Sequence, residues 1–401
     1  MKRFFSLLFV VVILICVFSS IAIAENVNVC GENIIWYFDE TTGVLHIDGS
    51  GEMCDYSYIE DNQPWCDLRE DIVALSIGDG VTYIGEYAFE RLKIEKLIIP
   101  AGVQVIGAEA FNSCKYLTEV VMECDELRLI DKGAFSGCDN LKAVSLPKSA
   151  TVIGDYAFFN TAIEHLVLPD GIVSVGVRAF DWCNQLKDVT VMGDLSSIGD
   201  YAFSGNEALS SVEVNGSIAE IGIGAFSGCL NLSLFEFKGT EKIGNNAFSG
   251  CMNLCDLELS ESLISIGEYS FENTNISSLY IPENVESIGR CSFSKCISLD
   301  RAVISGEETI LDYGVFSAGD NELIIYCHNL SKAQKYCEVY GIEHKLLGDA
   351  NGDLLIDSAD AVMMRKAILG DIKELDIFVV DINCDKVCDI LDLIKLKKML
   401  A

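Results

Sequence analysis

The stretch Ile153–Asn160, Ile-Gly-Asp-Tyr-Ala-Phe-Phe-Asn, returns in near copies through most of the chain. Its phenylalanine recurs as Phe89, Phe111, Phe135, Phe158, Phe180, Phe203, Phe226, Phe248, Phe271, Phe293 and Phe316, and every gap is 22, 23 or 24 residues. A fixed period of that size marks a stacked array, in which each unit buries its apolar face only against its neighbours.

One unit reads Leu141-Lys142-Ala143-Val144-Ser145-Leu146-Pro147, then a turn, then Val152-Ile153-Gly154, then Ala157-Phe158. The alternating aliphatics of the first part predict the parallel strand of a leucine-rich repeat, with one face turned inward. A glycine stands four residues before the phenylalanine in nine of the eleven units, with Asp131 and Asp312 in the other two. It is read as permitting a tight corner. The residue before the phenylalanine is small from Ala88 to Ser292, which leaves room for the next ring, and Val315 is the exception. Coils stacked at the strand spacing of roughly 4.8 Å would make an array roughly 50 Å long.

Residues 71–320 carry these units. Residues 25–70 precede them, with Trp36-Tyr37-Phe38, Val44-Leu45-His46-Ile47 and Gly49-Ser50-Gly51 reading as a hairpin and turn, then Pro64-Trp65. The first coil needs a cover on its open apolar end, so this segment is expected to be the N-terminal cap. Residues 321–347 leave the period. A strand at Leu323–Tyr326, a helix from Ser331 to Tyr340 stopped by Gly341, and a strand from Ile342 to Leu347 make the expected C-terminal cap. The motif Ile-Gly-x-x-Ala-Phe-x-x-Cys-x-x-Leu, with the Pro64-Trp65 cap, resembles the BspA-type leucine-rich repeats of bacterial surface and secreted proteins. The resemblance implies a protein- or surface-binding module.

The 401-residue chain carries a net charge of −33. That argues against nucleic acid and anionic membranes, which require basic surface. Lys2 and Arg3 precede an apolar run from Phe4 to Val17, and Ala22-Ile23-Ala24 offers a cleavage site. Residues 1–24 therefore read as a secretory signal peptide cut after Ala24, with no membrane insertion afterwards. The run also nears the length of an uncleaved anchor. Sixteen of the 17 cysteines would remain. Cys114, Cys138, Cys183, Cys229, Cys251 and Cys296 each lie three residues after a repeat phenylalanine, where Asn206, Thr161 or Thr274 stands in other units. A slot that accepts all three types needs no bridge, so these read as buried thiols. Cys30, Cys54 and Cys66 are the better disulfide candidates.

The tail carries the chemistry. In the twelve residues from Asp349 to Asp360, side-chain oxygens fall at positions 1, 3, 5, 9 and 12 (Asp349, Asn351, Asp353, Asp357, Asp360), and Leu355 offers its carbonyl at position 7. Thirty-two residues on, Asp381, Asn383, Asp385, Val387, Asp389 and Asp392 repeat the pattern. Alternating hard oxygens of this kind fit Ca²⁺, one ion per loop. Two acidic turns without an ion would look similar singly, but not twice in register. Position 6, usually glycine, is Leu354 and Lys386. A helix follows each loop, and no incoming helix is expected before either. The fold class expected is mixed α/β: a leucine-rich-repeat solenoid with parallel strands, followed by a small all-α calcium-binding domain.

Two loop–helix units closed by aspartate resemble a type I dockerin over residues 348–401. The resemblance implies docking into a cohesin module of a scaffoldin, as in cellulosomes. It assigns the cohesin contacts to Ser358, Ala359, Arg365 and Lys366 in the first copy and to Ile390, Leu391, Lys397 and Lys398 in the second. The basic pairs also suit helix C-termini on electrostatic grounds alone. Ser358-Ala359 and Ile390-Leu391 differ in chemistry, so one docking mode is expected to dominate.

No catalytic constellation is legible: His46, His165, His328 and His344 are scattered, and no nucleophile, zinc or phosphate motif occurs. The outward strand positions run Ile98, Val121, Ser145, Val167, Thr190, Glu213, Glu236, Glu258, Tyr280, Val303. Glu213, Glu236, Glu258 and Tyr280 form a possible ligand face for a basic partner, or simply a solvated acidic strip. The expectation is a secreted, extracellular or cell-surface, non-catalytic binding or adhesion protein in a cellulosome-like, polysaccharide-degrading complex. The solenoid's ligand is left as an unknown protein or polysaccharide. The alternatives are a carbohydrate-binding accessory subunit and a glycoside hydrolase component.

Overall fold

The computed structural model describes residues 28–317, 322–372, 375–383 and 387–400. The expected signal peptide, Cys384, Asp385 and Lys386 lie outside them.

The coils contribute to two parallel ladders, except that the coil of Leu257 and Leu259 gives no strand to the first. The L-x-x-L segment forms the expected strand, with alternation as in Lys96–Ile99 and His165–Leu168, exposed-buried-exposed-buried. These strands fall into four short sheets. The Val-Ile segment ahead of each glycine forms a second, longer sheet of twelve strands, from Gly51–Glu52 to Ile310–Leu311, where the residue pattern alone suggests no strand. The first ladder breaks after Leu234–Phe235, where Phe235 and Phe237 occupy inward positions that hold aliphatics elsewhere.

The repeat phenylalanines stack ring on ring. Neighbouring centroids are 5.2 Å apart at Phe158–Phe180, Phe180–Phe203 and Phe203–Phe226, and the planes are nearly parallel. The ladder has an end plate at each side. Trp65, 24 residues before Phe89, stacks on it at 5.4 Å and donates its indole N–H to the Ala88 carbonyl at 2.9 Å. At the other end Tyr336 meets Phe316 edge-on at 6.3 Å. The N-terminal cap is the expected antiparallel hairpin, Ile34–Asp39 with Val44–Gly49, and its second strand begins the parallel ladder by pairing with Ala74–Ile77.

The nine glycines four residues before a phenylalanine work differently from the expected corner. None of these glycines has positive φ; a Cβ on Gly222 would lie 2.7 Å from the Asp200 nitrogen and the Gly199 carbonyl carbon. The residue is small because the neighbouring coil's backbone passes there. The left-handed corner falls two residues later, at φ 58° for Tyr156, 54° for Arg178 and 57° for Tyr201. Such φ values are costly for residues with a Cβ. They are held because alternate amides then bond to the next coil: Tyr156 to Val177, Phe158 to Ala179 and Asn160 to Asp181, at 2.8 to 2.9 Å.

The six repeat cysteines are buried free thiols, as expected, and the structure adds a reason for the slot. Cys229 donates to the Phe203 carbonyl at 3.1 Å and Cys251 to that of Phe226 at 3.2 Å. Asn206 makes the same bond to Phe180 at 2.9 Å. Cysteine or asparagine here donates to the preceding coil's phenylalanine carbonyl, whereas Thr274 donates to Phe271 of its own coil at 2.9 Å and Thr161 meets the Cys183 sulfur at 3.2 Å. Burial pushes the Cys183 thiol up to about 11 and Cys251 up to about 12. The expected disulfide candidates are also unbridged: Cys30, Cys54 and Cys66 are thiols.

In the C-terminal cap, helix α1 (Lys332–Tyr340) is capped by Ser331, which accepts the Gln334 amide, and ends on Gly341 in the left-handed region. Strands Ile324–Cys327 and Glu343–Leu346 flank it. Three helices follow: α2 (Ser358–Ile368), α3 (Ile377–Val380) and α4 (Ile390–Met399). No helix among the described residues is long and apolar enough to cross a membrane.

Candidate functional site

The two acidic loops have the same hydrogen-bond frame. In the first, the Asp360 carboxylate accepts the Asn351 amide at 3.2 Å and the Asp357 amide at 2.8 Å. In the second, Asp392 accepts the Asn383 amide at 3.0 Å and the Asp389 amide at 2.8 Å. The position-9 aspartates cap the helices: Asp357 accepts the Ala359 amide at 2.6 Å and Asp389 the Leu391 amide at 2.7 Å. Positions 9 and 12 thus form a capping box at the start of α2 and of α4. This explains aspartate at position 12: its short side chain spans the loop to two amides.

Asp349, at position 1, accepts the amides of Gly352, Asp353 and Leu354 at 2.8 to 3.1 Å. Leu354 stands at φ 66°, the left-handed turn for which glycine is usual at position 6. The loop keeps its shape and the leucine bears the strain.

The loop residues fit a hard cation. The first set is all oxygen: four carboxylates, the Asn351 amide and the Leu355 carbonyl. Asp360 and Asp392 are fully buried and Asp349 and Asp381 nearly so. Among the described residues no Lys, Arg or His pairs with Asp360 or Asp392. Buried carboxylates without a positive partner call for a cation. The carboxylates are turned onto loop amides, and among the described residues no three His, Cys, Asp or Glu side chains are gathered closely enough to hold an ion by themselves. Asn351 and Leu355 stand outside that set of residue types, and Asp385 lies outside the described residues.

One expectation about this region is corrected. A helical turn does precede the second loop: α3 is capped by Asp376 and runs straight into Asp381, whose amide donates to the Ile377 carbonyl at 2.8 Å. A valine pair closes the turn, and both valines are buried.

All eight residues assigned to cohesin contact lie at the surface: Ser358, Ala359, Arg365, Lys366, Ile390, Leu391, Lys397 and Lys398. Ile390 and Leu391 are each more than half exposed, and Ile394, one turn on, extends that apolar strip. The basic pairs occupy the last turns of α2 and α4, where they also complement the helix dipoles.

The acidic strand face is less open than its sequence suggests. Glu236 accepts the Val214 amide at 2.9 Å and Lys238 Nζ at 3.1 Å. These bonds, the amide first, hold its carboxyl below the ordinary range. Glu213 is exposed and Glu258 lies at a cleft of about 240 Å³. Phe378 and Asp381 of the tail form one wall of that cleft, and Tyr280 and Val303 another. Val303, expected to face outward, is buried, and Tyr280 is half-buried, because both pack into a cluster with Val379, Val380, Leu393 and Leu396. The tail covers the C-terminal end of the strand face.

Comparison with known families matches six copies of the BspA type leucine rich repeat region, over residues 69–149, 123–233 and 221–338. The dockerin type I domain is matched over residues 347–401. Both are non-catalytic kinds of domain, and type I dockerins bind calcium and cohesins. No curated protein matches the chain. Among solved structures, the chain is similar to a leucine-rich repeat protein from Eubacterium ventriosum ATCC 27560, at 20% identity over 75% of this chain and 77% of that one, TM-score 0.42. A leucine-rich repeat protein from Bacteroides ovatus ATCC 8483 is also 20% identical, over 80% of this chain and 100% of that one, TM-score 0.30. A leucine rich cell surface protein from Faecalibacterium prausnitzii A2-165 is 21% identical, over 78% and 98%, TM-score 0.34.

Proposed function

This chain belongs to the BspA-type leucine-rich repeat family and ends in a type I dockerin domain, and on that premise we propose that it is a secreted, non-catalytic binding protein carried on a cohesin-bearing scaffold. The tail is the attachment device and the solenoid is the cargo. Family membership of both parts is typical of extracellular or cell-surface proteins. The assembly it joins is a cellulosome-like complex engaged in polysaccharide breakdown.

The observation that carries the reading is the duplicated frame of Asp357 with Asp360 and of Asp389 with Asp392. Each pair fixes a loop of oxygens on one side and an exposed helix start on the other. Two Ca²⁺ ions order the loops. The first is held by Asp349, Asn351, Asp353, the Leu355 carbonyl, Asp357 and Asp360. The second is held by Asp381, Asn383, Asp385, the Val387 carbonyl, Asp389 and Asp392. Ordering then presents Ser358, Ala359, Arg365 and Lys366, or Ile390, Leu391, Lys397 and Lys398, to a cohesin. The apolar strip of the second copy supplies burial, which contributes most at the core of an interface. Its basic pair supplies steering toward an acidic partner.

For the solenoid, the part of the strand face open to a ligand lies N-terminal to the tail. It runs from the exposed Ile98, Val121 and Val167 to Glu213. An aromatic stripe, which a sugar-binding face would need, is missing from these described positions. A protein or surface ligand is the better match. Incubating residues 25–347 with culture fluid tests this part: protein capture supports it, and retention by insoluble polysaccharide alone overturns it.

A further inference from the structure

The calcium-binding tail is held against the solenoid through α3. Asp376, its capping residue, accepts the Tyr326 hydroxyl at 3.0 Å and pairs with Lys345 Nζ at 2.7 Å. Phe378 packs against the Tyr326 ring with centroids 5.4 Å apart, and the Arg301 guanidinium lies 4.9 Å from the Phe378 centroid. Tyr326, Lys345 and Arg301 all belong to the last strands of the solenoid. A bridge from Lys395 of α4 to Glu283, at 3.6 Å, adds a second point of contact.

The two loops are tied to the solenoid in different ways. The first follows the last strand directly, and the Asp349 amide still donates to the Leu346 carbonyl at 3.1 Å. Its entry is fixed by the chain itself and by one bond to α3, from the Gly348 amide to the Val379 carbonyl at 2.8 Å. The second loop begins at Asp381, the residue that ends α3. Its entry is fixed by α3 and by the neighbouring Ile382, which is buried among Met364, Leu393 and Leu396.

We propose that α3 is a clamp coupling the second loop's ion to docking of the tail on the solenoid, each stabilising the other, with the first loop's ion coupled less because its loop follows the last strand directly. This rests on the calcium reading above. Docking holds Asp381 at the mouth of its loop, so the solenoid pre-orders the second site. A bound ion in turn fixes Asp381 and keeps α3 in the shape that meets Tyr326. Coupling of this kind is reciprocal and amounts to about tenfold in affinity when a single contact patch carries it. The clamp also fixes the direction in which the solenoid leaves a bound cohesin.

Calorimetric titration of the full chain with Ca²⁺ tests the clamp. The second loop is isolated by Asp353→Ala with Asp357→Ala, and the first by Asp389→Ala. Arg301→Ala with Lys345→Ala removes the solenoid side of the patch, and Phe378→Ala removes the tail side without touching a loop oxygen. In each, the second loop's dissociation constant should rise about tenfold, and the first loop's should rise less. Small-angle scattering should show the chelated native chain and both calcium-loaded variants as longer than the calcium-loaded native chain. The same second-loop affinity in native chain and variants, or a chelated chain that keeps its docked dimensions, overturns the clamp. Failure of either loop to bind Ca²⁺ in the native chain overturns the calcium reading and the clamp with it.

Discussion

Trp65 stacks face to face on Phe89 with ring centroids 5.4 Å apart, one repeat period ahead of the first repeat phenylalanine. The cap thus closes the array by substituting a larger ring for the one a preceding coil would have supplied. Trp65 is buried as completely as the mid-array rings, so its loss leaves a cavity of similar kind. Trp65→Ala and Phe203→Ala should each destabilise the chain by about 3–5 kcal/mol. Urea melts measure this, and an unchanged midpoint for either variant would contradict the ladder.

The cysteine slot is a hydrogen-bond position. Cys229→Asn should fold normally, since Asn206 makes the same bond one coil away. Cys229→Val fills the space but leaves the Phe203 carbonyl bare, at a cost of about 1–3 kcal/mol. The difference between the two variants in urea is the readout. A thiol reagent should leave the six repeat cysteines unmodified until the chain unfolds.

Asp181 titrates against the fold. One carboxylate oxygen accepts from Arg178 at 3.0 Å and the other is buried without a partner. Burial raises its carboxyl to about 6, from an ordinary 3.8, against the opposing pull of Arg178. Because the folded value is the higher one, the folded chain holds this proton more tightly than the unfolded chain. The residue's contribution therefore grows as pH falls from 6 toward 4 and is absent above. Asp181→Asn should remove that part of the pH dependence and stabilise the chain at pH above about 7. Melts of both proteins across this range decide it, and parallel curves would count against the assignment.

The exposed helix starts should be unequal. Charging Ile390 and Leu391 together removes an apolar strip that Ile394 continues. Charging Ser358 and Ala359 alters a small polar patch. Cohesin affinity, measured by calorimetry, should fall far more in the first variant than in the second. Equal losses would mean that the two faces are interchangeable.

The repeat, its period, both caps and the two acidic loops were legible because each is a local pattern of residue types. The rest is set by neighbours that a single repeat does not display. The glycine column looked like a corner because glycine is common at corners; it is the adjacent coil's backbone near Gly222 that excludes a Cβ. The left-handed residues were invisible because Tyr156, Arg178 and Tyr201 have side chains that disfavour that conformation, and only the bonds to the next coil hold them there. The sequence places Trp65 in the cap; that it is also a rung of the ladder shows only in the ring geometry. Val303 and Tyr280 read as outward on the strand alternation, and they are, yet the tail folds back over them. That docking depends on Asp376 and Phe378, in a stretch with no motif of its own.

As a calcium-ordered plug for a cohesin, the tail should bind only while its two loops hold their ions. Binding of the full chain to type I cohesin modules, measured in Ca²⁺ and again in excess chelator, tests it most directly. Tight capture is expected in Ca²⁺, with loss in chelator and loss in Ca²⁺ when Asp360 and Asp392 are both replaced by alanine. Capture by no type I cohesin in Ca²⁺, or capture indifferent to the chelator, would contradict it.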